Sequence, residues 1–423
     1  MSSSDKRPRS VFLGLSEVAG FYAGLQQGFA GLGIQADVVT IRPYTYADDL
    51  TELQSDDAAA MVAWVRRTMR DTGWIGVRRT REVIVRIRLL LWAARRYDAF
   101  VFGFRNTFLV GWDLPILRLM GKRIVCVFHG SDSRPAYIDR QSGDGKDGRA
   151  LARWVRRRKR IVRRIERYSH DVVVGALSTQ LHGRPVVCFQ ALGIPVSADA
   201  STARKAEGRL RLLHAPSDEA TKGTSAIRAA VAELADGGLD VEYVELSGVP
   251  NKVVREELAK ADLLVDQLYS DTSLASVASE AAAAGCAAIV GGYELDMLHR
   301  RLEPGMIPPA YYCTPDALSD TLRRAVGDRD ALRATGSAAR RFVTERWTPT
   351  AVAERYLQVL LGQVPEQWKV DPSRCLALAG CGVDRETAAA RCRAVIQDCG
   401  PGGLALDDKP ALRDAFIASC EAG

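Results

Sequence analysis

The sequence predicts two doubly wound α/β domains facing a cleft, with a short helical extension at the C-terminal end. Three observations carry this reading. Short apolar, β-rich runs alternate with helical stretches between Val11 and Gly291, the pattern of a parallel sheet covered by helices. The runs fall into two sets, interrupted by the polar and patternless Ile194–Arg209, which reads as a hinge. The length, 423 residues, accommodates two or three domains with full hydrophobic cores.

The first unit reads strand, turn, helix, strand. Val11–Leu15 is a short apolar run and Ser16–Gly20 a small-residue turn. Phe21–Leu32 has helical spacing with a stop at Gly33, and Ala36–Ile41 is apolar again. The pattern returns at Ala99–Phe104, Arg123–Phe128, Asp171–Leu177 and Val186–Gln190, and a second set follows at Leu210–Ala215, Val241–Ser247, Ala261–Leu268 and Ala287–Gly291. A helix over Thr350–Leu361 ends at Gly362, and from Gln363 the composition changes to an Ala-rich, Cys-bearing tail. The predicted divisions are therefore 1–195 and 209–348 for the two Rossmann-like domains, 349–362 for the helix and 363–423 for the helical tail. Open parallel sheets bind ligands beyond the carboxyl ends of their strands. This singles out the loops Ser16–Gly20, His129–Arg134, Ala215–Thr224 and Tyr269–Ser276.

Composition narrows the class. With 47% hydrophobic and 26% charged residues, wholesale disorder is excluded. No apolar run approaches the roughly 18 residues of a membrane span, and the five apolar residues after MSSSDKRPRS do not make a secretory signal. The expected location is the cytoplasm. The net charge of +7 conceals an asymmetry: residues 1–200 carry 32 Lys/Arg against 19 Asp/Glu, whereas the remainder is acidic. A basic half beside an acidic half suggests two domains with different partners. Of nine cysteines, Cys126, Cys188, Cys286 and Cys313 sit in apolar surroundings and read as core thiols, while Cys375, Cys381, Cys392, Cys399 and Cys420 crowd the tail. Their spacing matches no zinc pattern, and reduced structural thiols are the expectation, with disulfides the alternative. No metal or cofactor is predicted.

Two segments bear chemistry. In LLHAPSDEATKGTSAIRAAV (Leu212–Val231), Lys222 stands at the opening of a helix after a strand, where unpaired N–H groups and a full charge suit phosphate; an ordinary capped helix with a surface lysine is the alternative. In Ala261–Gly292 a Ser/Thr-rich turn leads into a helix from near Leu274 that carries Glu280. Its first amides could hold a sugar or phosphate oxygen and Glu280 a ribose diol, unless Glu280 is simply a solvated helix residue.

These two segments resemble the donor half of the GT-B glycosyltransferases, in particular the large retaining family of the glycosyltransferase family 4 type ("glycosyl transferases group 1"). The likeness covers roughly residues 10–362, with Thr350–Leu361 matching the helix that crosses back to the first domain. It implies a sugar transferase using a nucleotide-diphosphate donor, with retention and without a metal. The acceptor would bind the first domain and the donor the second. Lys222 would hold the diphosphate and stabilise the leaving group, Glu280 the ribose, and Thr272, Ser273 and Leu274 the sugar and phosphate. His129, in VFHGSD, would face the reacting sugar, with Asp132 and Arg134 on the acceptor side; the loop from Glu17 to Gly20 would lie beneath the diphosphate. The chain departs from the family pattern in two places. Thr272 stands eight residues before Glu280 where the family has a glutamate, and Pro216–Thr221 lacks the usual arginine, leaving Ser217, Lys252 or a distant arginine to replace it. These departures prompt the alternative of a catalytically inactive GT-B-like binding or scaffold protein.

Arg149–Arg167 holds ten Lys/Arg and one acid. Leu151, Trp154, Val155, Ile161, Val162, Ile165 and Tyr168 recur at helical spacing, which makes it an amphipathic cationic helix. Its apolar stripe suits packing on the sheet, and its charged face suits an anionic membrane or acceptor, which would place the protein peripherally at the inner face of the membrane. Arg66–Arg96 repeats the theme with ten arginines and with Trp74 and Trp92. No RNA or DNA module signature accompanies either stretch, and no nucleic-acid partner is expected.

Overall fold

The computed structural model describes residues 7–41, 53–69, 75–196, 208–380 and 382–421. Most of the expected hinge, as well as Trp74 and Cys381, lies outside the described residues. Within them the chain forms two sheets. The first contains β1 (Ser10–Leu15), β2 (Gln35–Thr40), β3 (Ala99–Gly103), β4 (Arg123–Val127), β5 (Asp171–Val174) and β6 (Val186–Cys188). The second contains β7 (Leu210–His214), β8 (Val241–Glu245), β9 (Leu263–Val265), β10 (Ala287–Gly291) and β11 (Tyr311–Cys313). A last strand, β12 (Lys369–Val370), joins the first sheet, whose order is β12-β6-β5-β4-β3-β1-β2; the second runs β11-β10-β9-β7-β8. All described pairings are parallel except that of β12 with β6.

The strands form where apolar, β-branched runs allow burial on both faces; β3 and β10 are buried at every residue. Each sheet reverses its winding at one point, between β1 and β3 in the first and between β7 and β9 in the second, and crevices open there off the carboxyl ends.

Several strands stop short of the expected bounds, chiefly at those ends. The run Ala261–Leu268 yields only Leu263–Val265, Asp171–Leu177 breaks at Gly175 into a 3-10 turn (Ala176–Ser178), and Val186–Gln190 turns helical at Phe189. There the backbone leaves the sheet to bring side chains into the cleft. Strands β11 and β12 were not foreseen, because three and two residues are too short for an alternation to register.

The helix Pro349–Leu361 packs across the first domain's helix Phe21–Gly31. Gly28 permits the close approach: a Cβ there would stand 2.0 Å from the Pro349 carbonyl oxygen. The tail returns to the first domain. β12 extends its sheet, and the tail helix Arg385–Cys399 lies on the basic helix Gly148–Tyr168. Tyr137, Leu151, Val155, Cys392, Val395 and Phe416 form a separate small core between them. Of the basic helix's expected stripe, Leu151, Val155, Val162 and Ile165 are buried, while Trp154 is 36% exposed. Every described cysteine is a free thiol.

Candidate active site between the two sheets

Loops from the carboxyl ends of both sheets meet around a cavity of about 160 Å³. The first domain contributes Val18, Ala19 and Phe21 after β1, Phe128–Gly130 after β4, Gly175 and Ser178 after β5, and Phe189, Gln190 and Ile194 after β6. The second contributes Asp271, Thr272 and Leu274–Ser276 after β9, where the helix Ser276–Ala283 begins.

His129 follows β4 and faces this cavity. Its ring meets Phe21 edge-on at 5.3 Å and Phe189 at 5.8 Å, and its Nε2 is buried with no hydrogen-bond partner among the described residues. Burial pushes its pKa down to about 4, so the imidazole is neutral at pH 7 and can exchange one hydrogen bond with a ligand. Asp132 is fully buried, and its Oδ1 accepts the backbone N–H groups of His129 (3.0 Å) and Gly130 (2.9 Å). It therefore fixes the turn that aims the histidine. Burial raises its own pKa to about 6, opposed chiefly by Arg105.

Arg134 leaves the same turn and crosses between the domains. Its Nε donates to Asp271 Oδ2 (2.7 Å) and to Ser178 Oγ (3.1 Å), while Nη1 pairs with Asp139 (3.0 Å). Ser178 Oγ donates to the same Asp271 oxygen at 2.5 Å, and Gln190 Nε2 to Thr272 Oγ1 at 3.3 Å. The two sheets are thus latched across the cavity floor. Asp139, Asp271, Ser178 and Gln190 have no local sequence signature; the Arg134–Asp271 pair spans 137 positions.

Glu17 lies in the loop between β1 and the helix Phe21–Gly31. Its carboxylate turns into the start of the helix Phe21–Gly31 and accepts N–H groups from Val18 (2.7 Å), Tyr22 (3.2 Å) and Ala23 (3.1 Å). Burial lifts its pKa to about 6, against the pull of those same bonds. Gly20, left-handed at φ 76°, is the N-cap of that helix and faces open space.

Lys222 stands where the helix Thr224–Asp236 opens, as expected, and also closes a short helix, Glu219–Lys222, ahead of it. Gly223, left-handed at φ 74°, then turns the chain into the helix Thr224–Asp236. The lysine is buried, and Nζ pairs with Asp266 Oδ1 at 2.8 Å. This contact ties the loops after β7 and β9 at the second sheet's switch point, just as Asn106 Nδ2, donating to Ser16 Oγ at 2.7 Å, ties those after β3 and β1 in the first. His214 braces the turn: Nδ1 donates to the Val265 carbonyl (2.7 Å), so Nε2 accepts from Thr224 Oγ1 (2.9 Å). Burial lowers the His214 pKa, which agrees with the neutral tautomer.

The remaining predicted residues divide. Thr272 and Leu274 line the cavity, and Ser273 is buried with Oγ 3.2 Å from His299 Nε2. Glu280, half-buried one turn into its helix, lies outside the cavity; Asn251 Nδ2 donates to both of its oxygens (3.2 and 3.1 Å), and burial raises its pKa. Ser217 is exposed beside Asp218, which caps the Glu219–Lys222 helix.

No family model matches the chain, and no curated protein matches it. Solved structures do. Anabaena HepE in complex with UDP and glucose superposes with a TM-score of 0.51 at 13% identity, over 84% of this chain and 99% of HepE. Its complex with UDP-glucose gives 0.50 at 12% identity, over 84% and 100%. The chain has the GT-B fold. In GT-B terms the cavity lies in the cleft between the two domains, and Arg134, Ser178 and Asp271 bond across that cleft.

Proposed function

We propose that this protein transfers a sugar from a nucleotide-diphosphate donor to an acceptor, with retention at the sugar and without a metal. The observation that carries the reading is the convergence of carboxyl-end loops from both sheets on one cavity: a neutral, unpartnered His129 Nε2 lies on one side and the start of the helix Ser276–Ala283 on the other. HepE, which shares the fold, binds UDP and glucose.

In this proposal the second domain holds the donor. Glu280 takes the ribose by exchanging its bonds from Asn251. Lys222 exchanges Asp266 for the diphosphate and offsets the charge that develops on the leaving group. The Thr272–Leu274 turn, with Ser217 at its entrance, orients the sugar and phosphate, and Gly20 leaves room beneath them. His129 bonds the sugar, and the first domain, from Asp132 to Arg134, faces the acceptor. The cavity is smaller than the roughly 300–1,000 Å³ usual for ligand pockets, so the Arg134–Asp271 latch opens to admit the donor and closes to exclude water. Peripheral contact with an anionic membrane, through the basic helix Gly148–Tyr168, belongs to the same proposal.

A second reading, an inactive GT-B-like scaffold, draws on Lys222 being neutralised by Asp266 and on Thr272 standing in place of a glutamate. Thermal unfolding with millimolar UDP, GDP, ADP and TDP separates the two. A ligand at 100 times its Kd adds about 2.7 kcal/mol, a rise of several degrees. A shift with one nucleotide that disappears in Glu280→Ala supports transfer and names the base; no shift with any of them puts the scaffold first.

A further inference from the structure

One face of the first domain is apolar and cationic at once. The crossovers β2 to β3, β3 to β4 and β4 to β5 all run in one direction across the sheet. Right-handed connections therefore place their helices, Ile75–Arg96, Leu114–Leu119 and Gly148–Tyr168, in a single layer. Arg86 Nη1 bonds the Thr107 carbonyl (3.0 Å), and Arg164 lies 3.9 Å over the Trp112 ring; these contacts join the three into one surface.

The helix Ile75–Arg96 carries two apolar stripes. Val85, Leu89 and Ala93 are fully buried, whereas Ile84, Ile87 and Leu91, on the other side, are 54%, 43% and 52% exposed. Next to it Trp112 and Leu119 are 62% and 90% exposed. The three helices, together with Val110, Trp112 and Met120 flanking the second, hold eleven of the fourteen exposed large apolar side chains among the described residues. The first helix carries seven arginines, the second one and the third ten Lys/Arg, of which Arg158 is buried and Lys159 and Arg163 pair with Asp408 of the tail. The acids on these helices are Glu82, paired with Arg86 at 2.9 Å, and Glu166, buried against His182.

We infer that this layer is a docking surface for an anionic lipid bilayer, with the Ile84, Ile87 and Leu91 stripe and Trp112–Leu119 entering the interface and the arginines meeting headgroups. The inference builds on the proposed membrane contact but moves its apolar part off the basic helix. A symmetric contact with a second copy would set this cationic face against itself, and nucleic acid gives no reason for exposed aliphatic side chains.

The test is sedimentation of the full chain with vesicles of phosphatidylcholine and phosphatidylglycerol in equal parts, and of phosphatidylcholine alone. The wild type should sediment with the first at low salt and not with the second. Arg78→Gln/Arg79→Gln/Arg95→Gln should weaken partitioning by about a hundredfold, near fivefold per arginine, and Ile84→Ser/Ile87→Ser/Leu119→Ser by a similar factor. All six positions are exposed, so melting temperatures should stay within about a degree or two of the wild type. Undiminished sedimentation of either triple variant, or none by the wild type, overturns the inference. So does a dimer that the apolar variant alone converts to monomer, which assigns the face to a second copy, or retention of duplex DNA that only the arginine variant loses. The nucleotide-induced thermal shift, measured on the same preparations without vesicles, reports separately on sugar transfer.

Discussion

Removing Asp266 exposes how the donor-side loops are held. Its side chain is 1% exposed and that of Lys222 11%, with 2.8 Å between charged atoms. Taking one partner from a buried pair costs about 3–5 kcal/mol, because the other charge stays behind uncompensated. Lys222 keeps a narrow path to solvent, so Asp266→Ala should fall at the low end, about 3 kcal/mol. For a domain the size of the second one, about 4 °C per kcal/mol makes this a drop of about 12 °C. Replacing both partners with apolar side chains of similar volume, Lys222→Met/Asp266→Leu, leaves no buried charge and should recover all but about 1 kcal/mol. The assay is a double-mutant cycle by calorimetry and urea titration at pH 7. An Asp266→Ala variant as stable as the wild type, or a double variant that loses the sum of the single losses, refutes the argument that the pair is internally compensated.

Three further outcomes are expected. Because burial lowers the His129 pKa to about 4, the unfolded chain takes up this proton from about pH 6.5 downward while the folded one does not; His129 thus contributes stability above pH 6.5 that is lost as pH falls toward 4. It is worth roughly 3 kcal/mol at most, and His129→Gln should flatten that part of the melting-temperature curve against pH. Asp271→Ala, which leaves Arg134 with Asp139 and Ser178, should cost about 2 kcal/mol and raise the radius of gyration in X-ray scattering; an unchanged radius would mean the latch does not hold the cleft. Gly28→Ala, driving a Cβ against the Pro349 carbonyl, should lose about 1–3 kcal/mol in a denaturant titration.

Two doubly wound domains are legible in the sequence because the central strands are buried on both faces, so β1, β3 and β10 appear as apolar runs between helices of ordinary period. The loops of the site are legible for the same reason: small-residue turns follow strand ends, which marks Ser16–Gly20, His129–Arg134 and Tyr269–Ser276 before any fold is known. What each loop's side chains do there is decided elsewhere. Glu17 reads as part of a loop, and only the fold shows its carboxylate accepting the amides of Val18, Tyr22 and Ala23 at the start of the next helix. Lys222 meets Asp266 across 44 positions and Arg134 meets Asp271 across 137. Periodicity also finds the amphipathic helices without saying that Ile75–Arg96 uses one apolar stripe for the sheet and leaves the other uncovered. Local sequence fixes which residues leave water, since burial follows the period of the backbone; it leaves open which charges meet in the cleft, since those partners are chosen by the packing of whole domains.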